Sequence, residues 1–139
     1  INIGRPINNE KANFVVSVMP GNNELILGNV YLPNGEMSKG LSNSFTDGKI
    51  WSMPEEIKIK DFVNASTKGA GYCISSSGKK MILSIDNDDS KGKNDLFISF
   101  LQKDGIWSKP KNLGNINTAS SEETPFLAAD EKTLYFSTN

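Results

Sequence analysis

Apolar residues in this chain come in short runs, and the runs recur. Leu25-Ile26-Leu27-Gly28, Met81-Ile82-Leu83-Ser84 and Leu134-Tyr135-Phe136-Ser137 start 56 and then 53 residues apart. A turn-rich segment precedes each: Pro-Gly-Asn-Asn-Glu, Ser-Ser-Gly-Lys-Lys and Ala-Asp-Glu-Lys-Thr. Before each turn lies another apolar run, at 14–18, 72–75 and 125–128. Before those come Ile7-Asn8, Val63-Asn64 and Ile116-Asn117, at the same offsets of 56 and 53. The rest of the unit is written twice. Gly40-Leu-Ser-Asn-Ser-Phe45 aligns with Asp95-Leu-Phe-Ile-Ser-Phe100. Each is followed by an Asp-Gly turn (Gly48, Gly105) and then Trp-Ser-x-Pro (Trp51 to Pro54, Trp107 to Pro110).

This pattern predicts four strands per unit, joined by antiparallel hairpins. Glycine supplies the positive φ that such turns need, and Asp hydrogen-bonds its own turn. The first three strands are nearly continuous apolar runs, which predicts burial on both faces. The fourth carries Trp51 or Trp107 and a proline. Pro54 and Pro110 cannot donate to a ladder, so the fourth strand belongs at a sheet edge. The tryptophan rings are expected to pack against a neighbouring sheet.

Repeated four-stranded antiparallel sheets, sandwiched by their like, predict an all-β chain that is an arc of a β-propeller. A β-sandwich has no reason to repeat its sequence, and a parallel β-helix repeats at shorter periods. The expected division is the tail of a preceding blade at 1–7, blades at 8–63 and 64–116, and the first half of a blade at 117–139. Propellers close with about four to eight blades, on the order of 220 to 440 residues at this period. Three readings follow. The chain is a portion of a larger propeller, it forms a ring with copies of itself, or it is an open stack capped by something else. A first residue that is not Met points to processing or to a longer parent chain.

Composition narrows the chemistry. The 139 residues contain no His, which removes Ser-His-Asp and Cys-His catalysis and His-ligated metals from this chain. Cys73 is alone and sits in an apolar run, so it is read as a small buried hydrophobe. With 15 basic and 16 acidic residues, and Arg5 the only Arg, nothing favours nucleic acid as a partner. No stretch has the roughly 20 apolar residues of a membrane span.

Three acidic features are candidate sites. The segment 86–95 carries Asp86, Asp88, Asp89 and Asp95, oxygen ligands of the kind calcium takes. Counted as an EF-hand loop from Asp86, its sixth and twelfth positions are Lys91 and Phe97, so the motif fails and the stretch reads as a solvated loop. Ser44 to Trp51 half-resembles the Asp box of sialidase propellers, itself a structural turn. Glu55-Glu56 and Glu122-Glu123 are carboxylate pairs, but adjacent strand residues face opposite ways, so both read as solvated. No metal or cofactor is expected. The connections at 28–40, 57–66, 84–95 and 113–122 are expected to share one face. Contact candidates there are Tyr31 and Leu32, as aromatic and aliphatic anchors, with Asp86, Asp88 and Asp89.

Pro125-Phe-Leu-Ala-Ala-Asp-Glu-Lys-Thr-Leu-Tyr-Phe-Ser137 resembles the WD40-like propeller repeat of the Pro-Asp type found in TolB-like proteins. The family's Asp stands at Asp130, and its Gly is replaced by Glu131. In the middle unit Ser77 replaces the Asp and Gly78 is kept; Gly92 to Ser99 is similar to the family's Gly-x-Asp-Leu-Tyr-Val-Ser strand. The first unit departs most, with Gly40 where Asp95 stands. The Asp-Gly-Ile-Trp-Ser-Lys-Pro version looks like repeats in envelope proteins of Bacteroidota, which often carry an OmpA-like domain elsewhere. The resemblance implies export to the periplasm or cell surface. It implies a non-catalytic scaffold that binds a protein partner of the cell envelope, with peptidoglycan reached only through a separate domain. The alternative is part of a propeller-based glycan-active enzyme whose catalytic residues lie mostly outside this chain.

Overall fold

The computed structural model describes residues 3–139. Ile1 and Asn2, part of the tail expected at 1–7, lie outside the described residues. The chain is all-β, with one 3-10 turn, Gly114–Ile116, as its only helical element among the described residues. No helix there is long and apolar enough to cross a membrane. The chain forms two compact units, one ending at Ile57 and one spanning Lys58–Asn139.

The first unit is a four-stranded antiparallel sheet whose spatial order follows the sequence. Its strands are β1 (Val15–Val18), β2 (Glu24–Tyr31), β3 (Met37–Phe45) and β4 (Glu55–Glu56). Ile7, Leu25, Leu27 and Tyr31 form its core, with Met37 and Trp51 packed on them. Gly28 is required here: a Cβ would lie 1.9 Å from the Phe14 ring, which rests directly on the glycine.

The second unit repeats that sheet with β5 (Gly71–Ile74), β6 (Lys80–Ile85), β7 (Asp95–Phe100) and β8 (Lys111–Asn112). It adds a two-stranded sheet of β9 (Glu122–Leu127) and β10 (Leu134–Thr138). The two sheets of this unit share one core: Leu127 is buried with Ile82 and Leu96, and Leu134 packs on that cluster beside Cys73, Ile98 and Leu113. The four-stranded sheets and the hairpin order are therefore those the repeat predicts.

The central strands are buried as predicted, with Leu27, Leu83 and Phe97 at 0% exposure. The first strands are not. Val15 and Val18 are exposed and β5 is mostly half-buried; β10, which corresponds to the buried β2 and β6, is also open along most of its length. β1 and β5 are outer strands with a neighbour on one side only, so continuous apolar sequence there does not buy two-sided burial.

The fourth strand also differs from expectation. β4 and β8 contain two residues each and begin immediately after Pro54 and Pro110. The tryptophans lie before them, in isolated bridges of Trp51 with Thr46 and Trp107 with Leu101. A proline without an N–H breaks the ladder between bridge and strand. Both prolines are buried, so they fill the packing rather than blunt an exposed edge.

A serine pair ties the segment before each proline to the third strand, in the same way in both sheets. Ser44 Oγ donates to the Ser52 carbonyl at 2.7 Å, and Phe45 N–H donates to Ser52 Oγ at 3.0 Å. Ser99 Oγ donates to the Ser108 carbonyl at 2.6 Å, and Phe100 N–H to Ser108 Oγ at 3.0 Å. This is why serine follows each tryptophan. Gly48 and Gly105 hold φ of 93° and 80°, and the Asp47 and Asp104 carboxylates accept turn N–H groups, as predicted.

Ser44 and Ser99 are fully buried. Replacing either with Ala should cost about 1 kcal/mol in urea unfolding, the net worth of one such hydrogen bond. The two pairs share no partner, so the double variant should show close to the sum.

Candidate functional site

Asp95 organises the loops at one end of the second unit. It begins β7 fully buried, and its carboxylate accepts from Lys91 N–H at 2.9 Å, Gly92 N–H at 3.2 Å and Asn112 Nδ2 at 3.1 Å. One buried carboxylate thus folds the 86–95 loop back onto β8. Asn112 Nδ2 also donates to the Asp89 carbonyl at 2.9 Å. Asn117 continues the network: its side-chain oxygen accepts from Leu96 N–H at 2.8 Å, and its Nδ2 donates to the Leu96 carbonyl at 2.9 Å. A side-chain amide here pairs with β7 as a strand residue would.

Three of the expected loops meet here. The Ala65 N–H donates to the Asp86 carbonyl at 2.7 Å, joining 57–66 to 84–95. Lys91 Nζ donates to the Gly114 carbonyl at 2.8 Å, and Lys93 N–H to the Ser120 carbonyl at 3.2 Å, joining 84–95 to 113–122. Only glycine permits the last approach, because a Cβ on Gly92 would sit 1.8 Å from the Ser120 carbonyl oxygen.

Two cavities open between these loops. One of about 220 Å³ is lined by Ser66, Asp86, Lys93 and Ser121. The other, about 320 Å³, is lined by Gly71, Ser84, Glu123 and Thr124. Lys68 and Asn94 border both. Their walls offer cations, carboxylates and hydroxyls, suited to hydrogen-bonding and ion pairing with a polar ligand surface.

Of the predicted contact residues, Tyr31 and Leu32 belong to the first unit and Asp86, Asp88 and Asp89 to the second. Tyr31 is buried in the core of the first unit, where burial raises its pKa, and its hydroxyl lies 2.9 Å from the Ile7 carbonyl and 3.0 Å from Asn13 Oδ1. It is not an anchor for a partner. β2 and β3 run on through most of 28–40, leaving a hairpin turn at 32–36. Leu32 is half-buried there and bonds through its backbone to Glu36 and Gly35. Asp88 and Asp89 are exposed, and Asp86 lines the smaller cavity. No cluster of three or more metal-ligating side chains forms among the described residues.

Glu55 and Glu56 are exposed as expected, but Glu122 is fully buried. Its carboxylate accepts from the Thr118 N–H at 3.1 Å and the Thr118 and Thr138 hydroxyls at 2.5 and 3.2 Å. Cys73 is half-buried rather than buried, and its sulfur accepts from Leu127 N–H at 3.2 Å across the two sheets of the second unit. The hydroxyl-rich Thr118–Ser121 stretch was the available signal for Glu122.

A third depression, missed by sequence, is a groove of about 730 Å³ bordered by Lys58, Lys60, Asp61, Ile106, Trp107 and Lys109. It forms because the 58–60 segment pairs with Trp107: Trp107 N–H donates to the Lys58 carbonyl and Lys60 N–H to the Trp107 carbonyl, each at 2.9 Å.

Glu131, aligned with Gly78 of the middle unit, adopts φ of 53° and reaches the turn before β6. It accepts from Ser77 N–H at 2.7 Å and Ser76 Oγ at 3.2 Å, and pairs with Lys80 Nζ at 3.0 Å. Hydrogen bonding from Ser77, then Lys80, holds its carboxyl down at about 2 against an ordinary 4.5. Comparison with models of protein families, with curated proteins and with solved structures found no match.

A carboxyl with a lowered folded pKa binds protons more readily when unfolded, so its contribution falls as pH falls. Wild type should therefore melt higher than Glu131→Gln above pH 4.5, and the gap should close as pH approaches 2. Asp47 and Asp130, also lowered by hydrogen bonds from their own turns, titrate in both proteins and cancel in the difference.

Proposed function

We propose that the chain is an arc of a β-propeller of the WD40-like, Pro-Asp kind, serving as a non-catalytic module that binds a protein partner in a bacterial cell envelope. The observation that carries the propeller reading is the packing inside the second unit. A complete four-stranded sheet shares its core with the start of another that repeats its sequence, through Ile82, Leu96, Leu127 and Leu134. Successive blades meet in this way, and a single two-layer sandwich would not need the repeat. The identical serine pairs support reading the two complete sheets as the same blade unit.

Binding rather than catalysis is favoured by the employment of the buried carboxylates. Asp95 and Glu122 are both held by hydrogen bonds inside the fold. What remains open on the loop face is Asp88, Asp89, Lys93 and the two polar cavities, a surface for recognition. The envelope location rests on the sequence resemblance, as does peptidoglycan contact through a separate domain.

The test is affinity capture of envelope proteins by immobilised wild type and by Asp88→Lys/Asp89→Lys. A partner read by the loop face should be lost about fivefold or more, roughly 1 kcal/mol, with the melting temperature unchanged. Lys60→Glu, in the groove beside Trp107, serves as the comparison. If the groove variant alone loses the partner, the loop face is not the binding surface; if neither differs from wild type, the binding role is withdrawn.

A further inference from the structure

Asp95 and Glu122 spend their carboxylates inside the fold; Asp86 does not. Its backbone is committed, with the N–H donating to Asn64 Oδ1 at 3.2 Å and the carbonyl accepting from Ala65 N–H at 2.7 Å. Its half-buried carboxylate makes no hydrogen bond or ion pair among the described residues. Two other residues lining the same cavity of about 220 Å³ are in a similar condition. Asn94 is 5% exposed, and its Nδ2 donates to the Gly69 carbonyl at 3.3 Å, but its side-chain oxygen accepts nothing from the described residues. Ser121 is 7% exposed, and its hydroxyl is likewise unengaged among them. Buried polar groups are nearly always paired, so unspent ones gathered on one cavity wall point to a ligand that pairs them. Lys68 and Lys93 complete the wall, and their ammonium groups also have no partner among the described residues. These residues lie in the loops before β5, between β6 and β7, and before β9. The walls therefore belong to a complete four-stranded sheet and the connections on either side of it.

We propose that this cavity binds a free acidic α-amino acid, aspartate or glutamate. The match is one of charge and of donors. The wall offers two cations, Lys68 and Lys93, and one anion, Asp86. An acidic amino acid offers the reverse, two carboxylates and one ammonium. Its ammonium carries three N–H donors, and the Asp86 carboxylate, the Asn94 side-chain oxygen and the Ser121 hydroxyl are acceptors for them. The Asn94 oxygen is turned to that task because its Nδ2 is held by Gly69. The two ligand carboxylates pair with Lys68 and Lys93. Such charge-assisted hydrogen bonds are about twice as strong as neutral ones. Ala65 is the only apolar residue among the described residues lining the cavity, so an apolar ligand side chain gains little there. The volume has room for several waters, each of about 30 Å³ in the liquid, which such a ligand displaces. The inference goes beyond partner binding through the exposed Asp88 and Asp89, and it needs neither the propeller nor the envelope reading.

The experiment is an NMR titration of the 139-residue chain with L-aspartate and, separately, L-glutamate, following backbone amide shifts. The expected result is saturable shifts at 65–68, 86–94 and 121 with at least one of the two. Two near-isosteric probes dissect the recognition of L-aspartate: succinate lacks only the ammonium, and L-asparagine lacks the second charge. Each should bind about tenfold or more weakly than L-aspartate. Asp86→Asn should weaken L-aspartate by a similar factor. The variant keeps the fold, because Asp86 serves the fold through its backbone, and an unchanged spectrum away from the cavity checks this. The absence of saturable shifts at these amides with either amino acid up to about 10 mM overturns the proposal. So does succinate or L-asparagine binding as well as L-aspartate, or Asp86→Asn binding as well as wild type. Failure here leaves partner capture through Asp88 and Asp89 unaffected, so the two results are distinguishable.

Discussion

The ladder between the second and third strands is the interaction on which the rest of each sheet depends. It is the longest pairing in the first sheet, from Glu24 opposite Phe45 to Tyr31 opposite Met37, and it spans all of β6 in the second. It places Leu27, Leu41, Leu83 and Phe97 out of reach of water. Each such side chain is worth about 1.5 to 3 kcal/mol of transfer free energy, so the ladder and its apolar flanks outweigh any surface ion pair. Outer strands can then be short or interrupted. The two-residue fourth strands exist because a buried ladder is already there to receive them, with the Ser44–Ser52 and Ser99–Ser108 hydrogen bonds tying the segment before each proline to the third strand.

Polar groups decide the ends of the sheets as apolar groups decide their middles. Asp95, Asn117 and Glu122 are nearly or wholly excluded from solvent, and each is held by two or more hydrogen bonds. Buried polar groups so paired specify one arrangement, because any alternative leaves a carboxylate or amide desolvated without a partner. The loop face of the second unit is therefore a built surface, and the exposed Asp88, Asp89 and Lys93 are presented from a fixed backbone.

Much of this was legible in the sequence, and the misses have a common cause. The repeat of Leu-Ile-Leu, Asp-Gly and Trp-Ser-x-Pro located the hairpins, the turn glycines and the order of strands, because each depends on local patterning. The convergence of 57–66, 84–95 and 113–122 followed from strand order alone. What failed depended on contacts between distant residues. Tyr31 read as a loop aromatic because nothing local announces that Ile7 and Asn13 enclose it. Glu122 read as solvated because its partners, Thr118 and Thr138, lie on opposite sides of a hairpin. Pro54 and Pro110 were placed correctly beside an edge, but their burial depends on packing that an edge-strand rule does not contain.

The Glu131 turn bears on how similar units avoid confusion. Sheets built on one ladder present nearly equivalent faces, so a chain of them has several ways to stack its members while folding, and misassembly is the characteristic failure of repeat architectures. Apolar contacts such as Leu127 on Ile82 discriminate poorly among such neighbours. A carboxylate that finds Ser76, Ser77 and Lys80 in one turn is selective, because the corresponding turn of the first unit has Pro20, Gly21 and Glu24 at those positions. The left-handed conformation that a glycine would adopt more easily is retained by a residue that acts as an address label, telling the third sheet which of its near-twins to lie against.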